Sequence, residues 1–214
     1  MTDNTVDRGL DALVGIDIQN DFCPGGALEV SDGDQVVPLT NALMAQFDHV
    51  LLTQDWHPAG HSSFASGHAD ANPYDSVEAA YGPQTLWPDH CVQGTAGAEF
   101  HSDLDSDRAE LVIRKGYRPA IDSYSALYEN DQSTPTGLTG YLRDRGFKRL
   151  FMTGLATDFC VAFSALDARK EGFEVVVIED ACRAIDLAGS LAAAWEQMNA
   201  AGVVRVDSST IIGR

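Results

Sequence analysis

"ALVGIDIQ", Ala12–Gln19, decides how this chain folds. Its apolar residues lack the polar alternation of a half-wet strand, and the run is too short for a helix, so it reads as a strand buried on both faces. The pattern recurs in "VLLTQ" (Val50–Gln54), "ELVIRK" (Glu110–Lys115), "RLFMTGLA" (Arg149–Ala156), "FEVVVIED" (Phe173–Asp180) and "VVRV" (Val203–Val206). Helical patterns separate these runs at Asp34–Phe47, Thr136–Arg145, Asp158–Glu171 and Ala188–Ala201, each closed by a glycine or a polar break. Buried strands alternating with helices predict an α/β fold, a parallel sheet covered on both faces. The stretch Asp55–Ala109 shows no clear helix or strand, and loops of that length are usually functional. No linker or repeat divides the chain, so a single domain over 1–214 is expected.

The composition narrows the function. Fourteen basic against 32 acidic residues give a net charge of −18. Such a surface repels nucleic-acid phosphates and anionic lipid, so neither is an expected partner. Solubility or salt adaptation explains the charge better than an acidic partner-binding role. The opening "MTDNTVDRGL" is polar, unlike a signal peptide, and no apolar stretch approaches the ~20 residues that cross a bilayer. A cytoplasmic protein is expected. Its four cysteines, Cys23, Cys91, Cys160 and Cys182, form no CxxC pair and read as free thiols.

In open α/β sheets, ligands bind beyond the carboxyl ends of the strands. Asp17 follows the first strand, Asp55 the second, Lys115 ends the third, and Cys160 lies just past the fourth. These four side chains should converge. Cys160, in the first turn of a helix, would feel a dipole that favours thiolate, whereas most free cysteines are small core residues. Asp17, at a dry sheet edge, would have its pKa raised towards general-base work on a thiol. Lys115 would offset the acids and hold the thiolate. Acid, lysine and thiol together describe an activated nucleophile for acyl bonds.

"QDWHPAGHSSFA", Gln54–Ala65, adds a second constellation. Asp55 and His57, two apart in an extended segment, point the same way and offer one oxygen and one nitrogen to Zn²⁺, Fe²⁺ or Mn²⁺. "LWPDHCVQGT" supplies a third ligand, His90. His61, His68 and His101 are alternative third ligands, but they lie in polar stretches and are expected to be exposed.

"DIQNDFCPGGAL", "TQDWHPAGHSSFA", "LWPDHCVQGTAGAEF", "RKGYRPAIDSYSA" and "GLATDFCVAFSALDA", in this order, resemble the successive motifs of nicotinamidases, members of the isochorismatase-like cysteine hydrolases. The resemblance runs from about Ala12 to Ala184. It implies a three-layer α/β/α fold around a six-stranded parallel sheet, Rossmann-like and doubly wound, and hydrolysis of nicotinamide, commonly also pyrazinamide, to the acid and ammonia. By motif position it implies a catalytic triad of Asp17, Lys115 and Cys160, with the N–H groups of Ala156 and Cys160 as oxyanion hole. One divalent metal, zinc first with iron or manganese as alternatives, would be held by Asp55, His57 and His90. Ser63 stands where some members carry a ligating histidine, so water or a further side chain would complete the shell. His61 matches the motif without being a usual ligand. Phe22, Trp87 and Tyr124 would enclose the substrate ring, and the Leu155–Ala156 peptide would be cis. The resemblance leaves a homo-oligomer open.

Two rivals are weaker. Sister hydrolases acting on another small amide or an N-carbamoyl compound generally lack the metal ligands, and true isochorismatases lack the nucleophilic cysteine. A non-catalytic metal-binding module would need no convergence of Asp17, Lys115 and Cys160. A dinucleotide site is disfavoured because no GxGxxG follows the first strand.

Overall fold

The computed structural model describes residues 5–213, so the first four residues of the polar opening lie outside the described residues. The runs pair as expected into one six-stranded sheet, every neighbouring pair parallel, although the two edge strands, Leu111–Lys115 and Val204–Val206, are only partly buried because each has a neighbour on one side alone. Its strands are β1 (Asp11–Ile16), β2 (Val50–Asp55), β5 (Leu111–Lys115), β6 (Arg149–Leu155), β7 (Glu174–Arg183) and β8 (Val204–Val206). The spatial order is β5-β2-β1-β6-β7-β8. The chain therefore winds outward from β1 to one edge, returns to β6, and winds to the other. The winding reverses between β1 and β6, and a ligand crevice opens at such a switch point.

Side-chain alternation along β1 divides the interior into two layers. Ala12, Val14 and Ile16 join a core with Leu138 and Leu142 of α2 (Leu138–Arg145), Ala165 and Ala168 of α3 (Ala162–Lys170), and Trp195 and Met198 of α4 (Ser190–Ala200). Leu13 points to the opposite core, with Val36, Val37, Leu43 and Met44 of α1 (Val36–Met44) and Ile211 of a short α5 (Ser209–Ile212). Burial of both faces explains the near-continuous apolar composition of the strands. The result is the expected α/β/α sandwich. Among the described residues, no helix is long and apolar enough to cross a membrane.

Three features depart from expectation. The long stretch after β2 contains a hairpin of β3 (Ser76–Ala79) and β4 (Gly82–Thr85), paired antiparallel. Its residues are mostly exposed or half-buried, so the apolar signal of a strand is missing. β7 runs three residues past Asp180, through the small residues Ala181 and Cys182 to Arg183. The helix expected from Asp158 opens instead with a π-type turn, Thr157–Val161, before α3 proper.

Candidate active site

Asp17, Asp55, Lys115 and Cys160 meet at the carboxyl edge of the sheet. β2 and β5 are in register there, with Asp55 opposite Lys115. Lys115 is fully buried, and its ammonium lies 2.8 Å from Asp17 Oδ2, 2.7 Å from Asp55 Oδ1 and 3.4 Å from Cys160 Sγ. It also donates to the Ser123 carbonyl at 2.9 Å. One buried cation thus bridges two carboxylates and a thiol.

The two acids are held in different states. Burial pushes the Asp17 carboxyl above its ordinary range, with Lys115 opposing and Asp55 adding to the rise. Burial acts on Asp55 in the same sense, but Lys115 and His57 outweigh it and hold that carboxyl well below the usual range. Acids whose pKa values are pushed apart can divide the work, one moving protons and the other staying an anion. Asp17 is further fixed by Thr53, whose hydroxyl donates to Asp17 Oδ1 at 2.5 Å and accepts from the Asp17 N–H at 3.1 Å.

At Cys160, burial works against the helix-dipole expectation. Burial is the main cause of its raised pKa; Lys115 opposes it, and the charges of Asp17 and Asp55 add to it. Burial also raises Cys91, and takes Cys23 up to about 11 and Cys182 up to about 12. Acidity therefore does not single out Cys160; its contacts with an ammonium and a raised carboxyl do.

Asp55, His57 and His90 offer ligand atoms within 4.8 Å of one another. Asp55 Oδ2 lies 3.2 Å from His57 Nε2 and 3.5 Å from His90 Nε2. His57 Nδ1 lies 2.9 Å from the Gly116 carbonyl and His90 Nδ1 2.8 Å from the Pro88 carbonyl. Carbonyls accept only, so each Nδ1 carries a proton and each Nε2 faces Asp55. One oxygen and two nitrogens, oriented from behind, fit a divalent metal. Gln19 clamps the acid by its backbone, accepting from the Asp55 N–H at 2.8 Å and donating to its carbonyl at 2.9 Å. Gly116, at φ +67°, is required here, since a Cβ on it would lie 2.5 Å from the His57 ring.

His61 corrects an expectation. It is fully buried, not exposed, and His68 and His101 are half-buried. His61 Nδ1 meets Ser63 Oγ at 2.7 Å, and Nε2 faces the carbonyls of Arg118 and Ile121 at 2.9 and 3.2 Å. His57, His61 and Asp122 form a second group of potential ligands, but both ring nitrogens of His61 are already engaged. The first group fits a metal better.

A pocket of about 330 Å³ opens onto Cys160, Asp55 and His90. Its walls include Phe22, Trp87 and Tyr124, together with Phe159 of the π-type turn and with Leu28 and Ile185, which sequence reasoning missed because apolar loop residues carry no periodic signal. Trp87 Nε1 donates to the Tyr124 hydroxyl at 3.1 Å, fixing the aromatic wall. Ala156 and Cys160 both line the pocket, and the peptide Leu155–Ala156 is cis. Asp122, buried in the same wall, was also missed although it lies within the motif "AIDSYSA". Gln84 of the hairpin donates to Asp122 Oδ2 at 2.7 Å and to the Tyr124 hydroxyl at 3.0 Å.

Known proteins resemble this chain in sequence and fold. A nicotinamidase of Acinetobacter baylyi is 53% identical over 201 residues, 94% of each chain. The solved structure of an Acinetobacter baumanii nicotinamidase/pyrazinamidase superposes with a TM-score of 0.93 at 54% identity, covering 94% of this chain and 97% of that one. A Pyrococcus horikoshii pyrazinamidase solved in complex with zinc gives 0.73 at 38% identity, over 92% and 98% of the two chains. The isochorismatase domain profile matches residues 11–210, the whole sheet and every residue of the site, and the chain belongs to the isochorismatase family.

Proposed function

We infer that this chain is a nicotinamidase, a cysteine amidohydrolase converting nicotinamide to nicotinate and ammonia, with pyrazinamide as a further substrate. The observation that carries the reading is Lys115, bridging Asp17, Asp55 and the Cys160 thiol beside the Asp55/His57/His90 set. The relatives supply the substrate class by name.

Asp17 takes the Cys160 proton, and the thiolate attacks the carboxamide carbon. The raised Asp17 pKa suits a group that must accept this proton and return it. Lys115 steadies the thiolate as it forms. The N–H groups of Ala156 and Cys160 receive the oxyanion. Asp17 then protonates the departing ammonia, leaving a thioester on Cys160. A water deprotonated by Asp17 attacks the thioester, nicotinate leaves, and the thiol regains its proton.

Phe22, Trp87 and Tyr124 enclose the pyridine ring. Asp55, His57 and His90 hold one divalent metal, for which zinc is our assignment from the donor set and the zinc-bound relative. When bound, the metal supplies a Lewis-acid position for the ring nitrogen, a template role. The protein works as one domain in the cytoplasm, without nucleic-acid or membrane partners. Ammonia release from nicotinamide, measured with and without a chelator, tests the reading. No ammonia from the metal-loaded protein would sink it.

A further inference from the structure

We propose that Asp158 is a positioning residue, latching the loop between β7 and α4 over the pocket and so setting how wide a ring the pocket admits. The proposal rests on the nicotinamidase reading for its substrate. Asp158 lies two residues before Cys160, in the same turn, and is buried. Its carboxylate accepts from the Ile185 N–H at 3.1 Å, from the Asp186 N–H at 2.8 Å, and from the Ser190 hydroxyl. One side chain of the nucleophile's turn thus takes three donors from residues 185–190, two from the loop and one from the first residue of α4.

The loop needs such an anchor. Asp186 and Ala188 stand at φ 54° and 52°, in the left-handed region that residues with a Cβ seldom occupy unless the surroundings hold them there. Asp186 and Ala188 are exposed, so packing does not hold them. The loop reaches the reaction through one residue: Ile185 lines the pocket with Phe159 and Cys160. Three inward donors require an acceptor on both oxygens. An asparagine of the same shape would turn an NH₂ group towards one of them, so Asp158→Asn removes the latch with little change of volume.

Kinetics on nicotinamide and on a ring-substituted analogue, 5-methylnicotinamide, test the proposal, alongside hydrogen exchange at the amides of Ile185 and Asp186. With Asp158→Asn, KM for nicotinamide should rise about tenfold while kcat changes little, because Ile185 no longer closes on the ring. The ratio of kcat/KM for the methylated amide to that for nicotinamide should rise by about tenfold, the scale of one methyl group in a pocket. A ratio is independent of the fraction folded, so general destabilisation leaves it unmoved. Ile185→Ala should move it the same way, and the double variant should add little. Exchange at both amides should quicken. Unchanged exchange, or an unchanged ratio, overturns the latch; so does a loss confined to kcat, which would place the effect on the Cys160 turn. If Asp158→Asn does not fold, Ser190→Ala removes one donor and should shift the same ratio by a smaller factor, and no shift there also overturns the proposal. A wild-type protein that releases no ammonia from nicotinamide would sink the functional reading, while the exchange experiment still decides the latch.

Discussion

Lys115→Met removes the charge that holds the site together and leaves a side chain of similar length. The ammonium lies 2.8 and 2.7 Å from carboxylate oxygens of Asp17 and Asp55. At an effective dielectric of 20, each contact represents about 6 kcal/mol of gross attraction. Most of that offsets the cost of burying three charges, and breaking such a cluster costs about 3–5 kcal/mol net. For a chain of this size, that lowers Tm by roughly 6–20 °C. The loss should depend on pH, with a definite sign. Burial already raises Asp17 above its ordinary value, and removing Lys115, the main opposing influence, raises it further. A carboxyl whose folded pKa exceeds its unfolded one stabilises the fold at low pH and loses that contribution as pH rises through the folded value. The variant should therefore lie closer to wild type at pH 5 than at pH 8. Turnover should fall by about 10²–10⁴-fold at neutral pH, because a protonated Asp17 cannot take the thiol proton. What activity remains should show an acid limb displaced to higher pH. Thermal melts and pH–rate profiles of the metal-loaded proteins measure both effects. An equal loss of Tm at both pH values, with an unmoved acid limb, would refute the account of Lys115 as the group that keeps Asp17 ionisable.

Cys160→Ala should abolish ammonia release without loss of fold, whereas Cys182→Ala, on β7 and outside the pocket lining, should keep turnover within about twofold and cost about 1 kcal/mol; equal losses in kcat would show that the nucleophile is misassigned. Asp55→Ala and His57→Ala should lower metal content measured by atomic emission. His61→Ala should retain more metal but destabilise by about 1–3 kcal/mol, because it strips partners from Ser63 and two carbonyls; metal content as low as in His57→Ala would place His61 among the ligands. Benzamide, lacking the ring nitrogen, should be a poor substrate whose rate changes little on metal removal; a chelator that abolished its turnover would argue for a metal-generated nucleophile instead.

The parts legible in the sequence are those fixed by burial on two faces. Strands such as Asp11–Ile16 carry mainly apolar side chains, so their positions could be read, and the strand-end rule then gathered Asp17, Asp55, Lys115 and Cys160. Other parts depend on contacts that spacing does not encode. His61 sits among polar residues, yet carbonyls from a segment about sixty positions away bury it. The hairpin Ser76–Thr85 escaped because it faces solvent, although its Gln84 reaches back to hold Asp122 and Tyr124. Thr53 did leave a signal: a polar residue inside an apolar strand must find a partner, and it finds Asp17.

The acidity of Cys160 depends on contacts of the same kind. A helix terminus near a thiol argues for thiolate only while the site is wet. Here the terminus is buried, and burial raises the thiol's pKa, with Lys115 opposing the rise and the charges of Asp17 and Asp55 adding to it. A thiol whose pKa is raised by burial calls for a base, and a base that binds its proton more tightly than an ordinary carboxylate suits it better. Burial at the switch point between β1 and β6 raises Asp17 in that sense, while Lys115 limits the rise so that the group still ionises. The same lysine keeps Asp55 anionic for its ligand role. One cation, placed where β5 lies beside β2, thereby assigns different work to two chemically identical side chains.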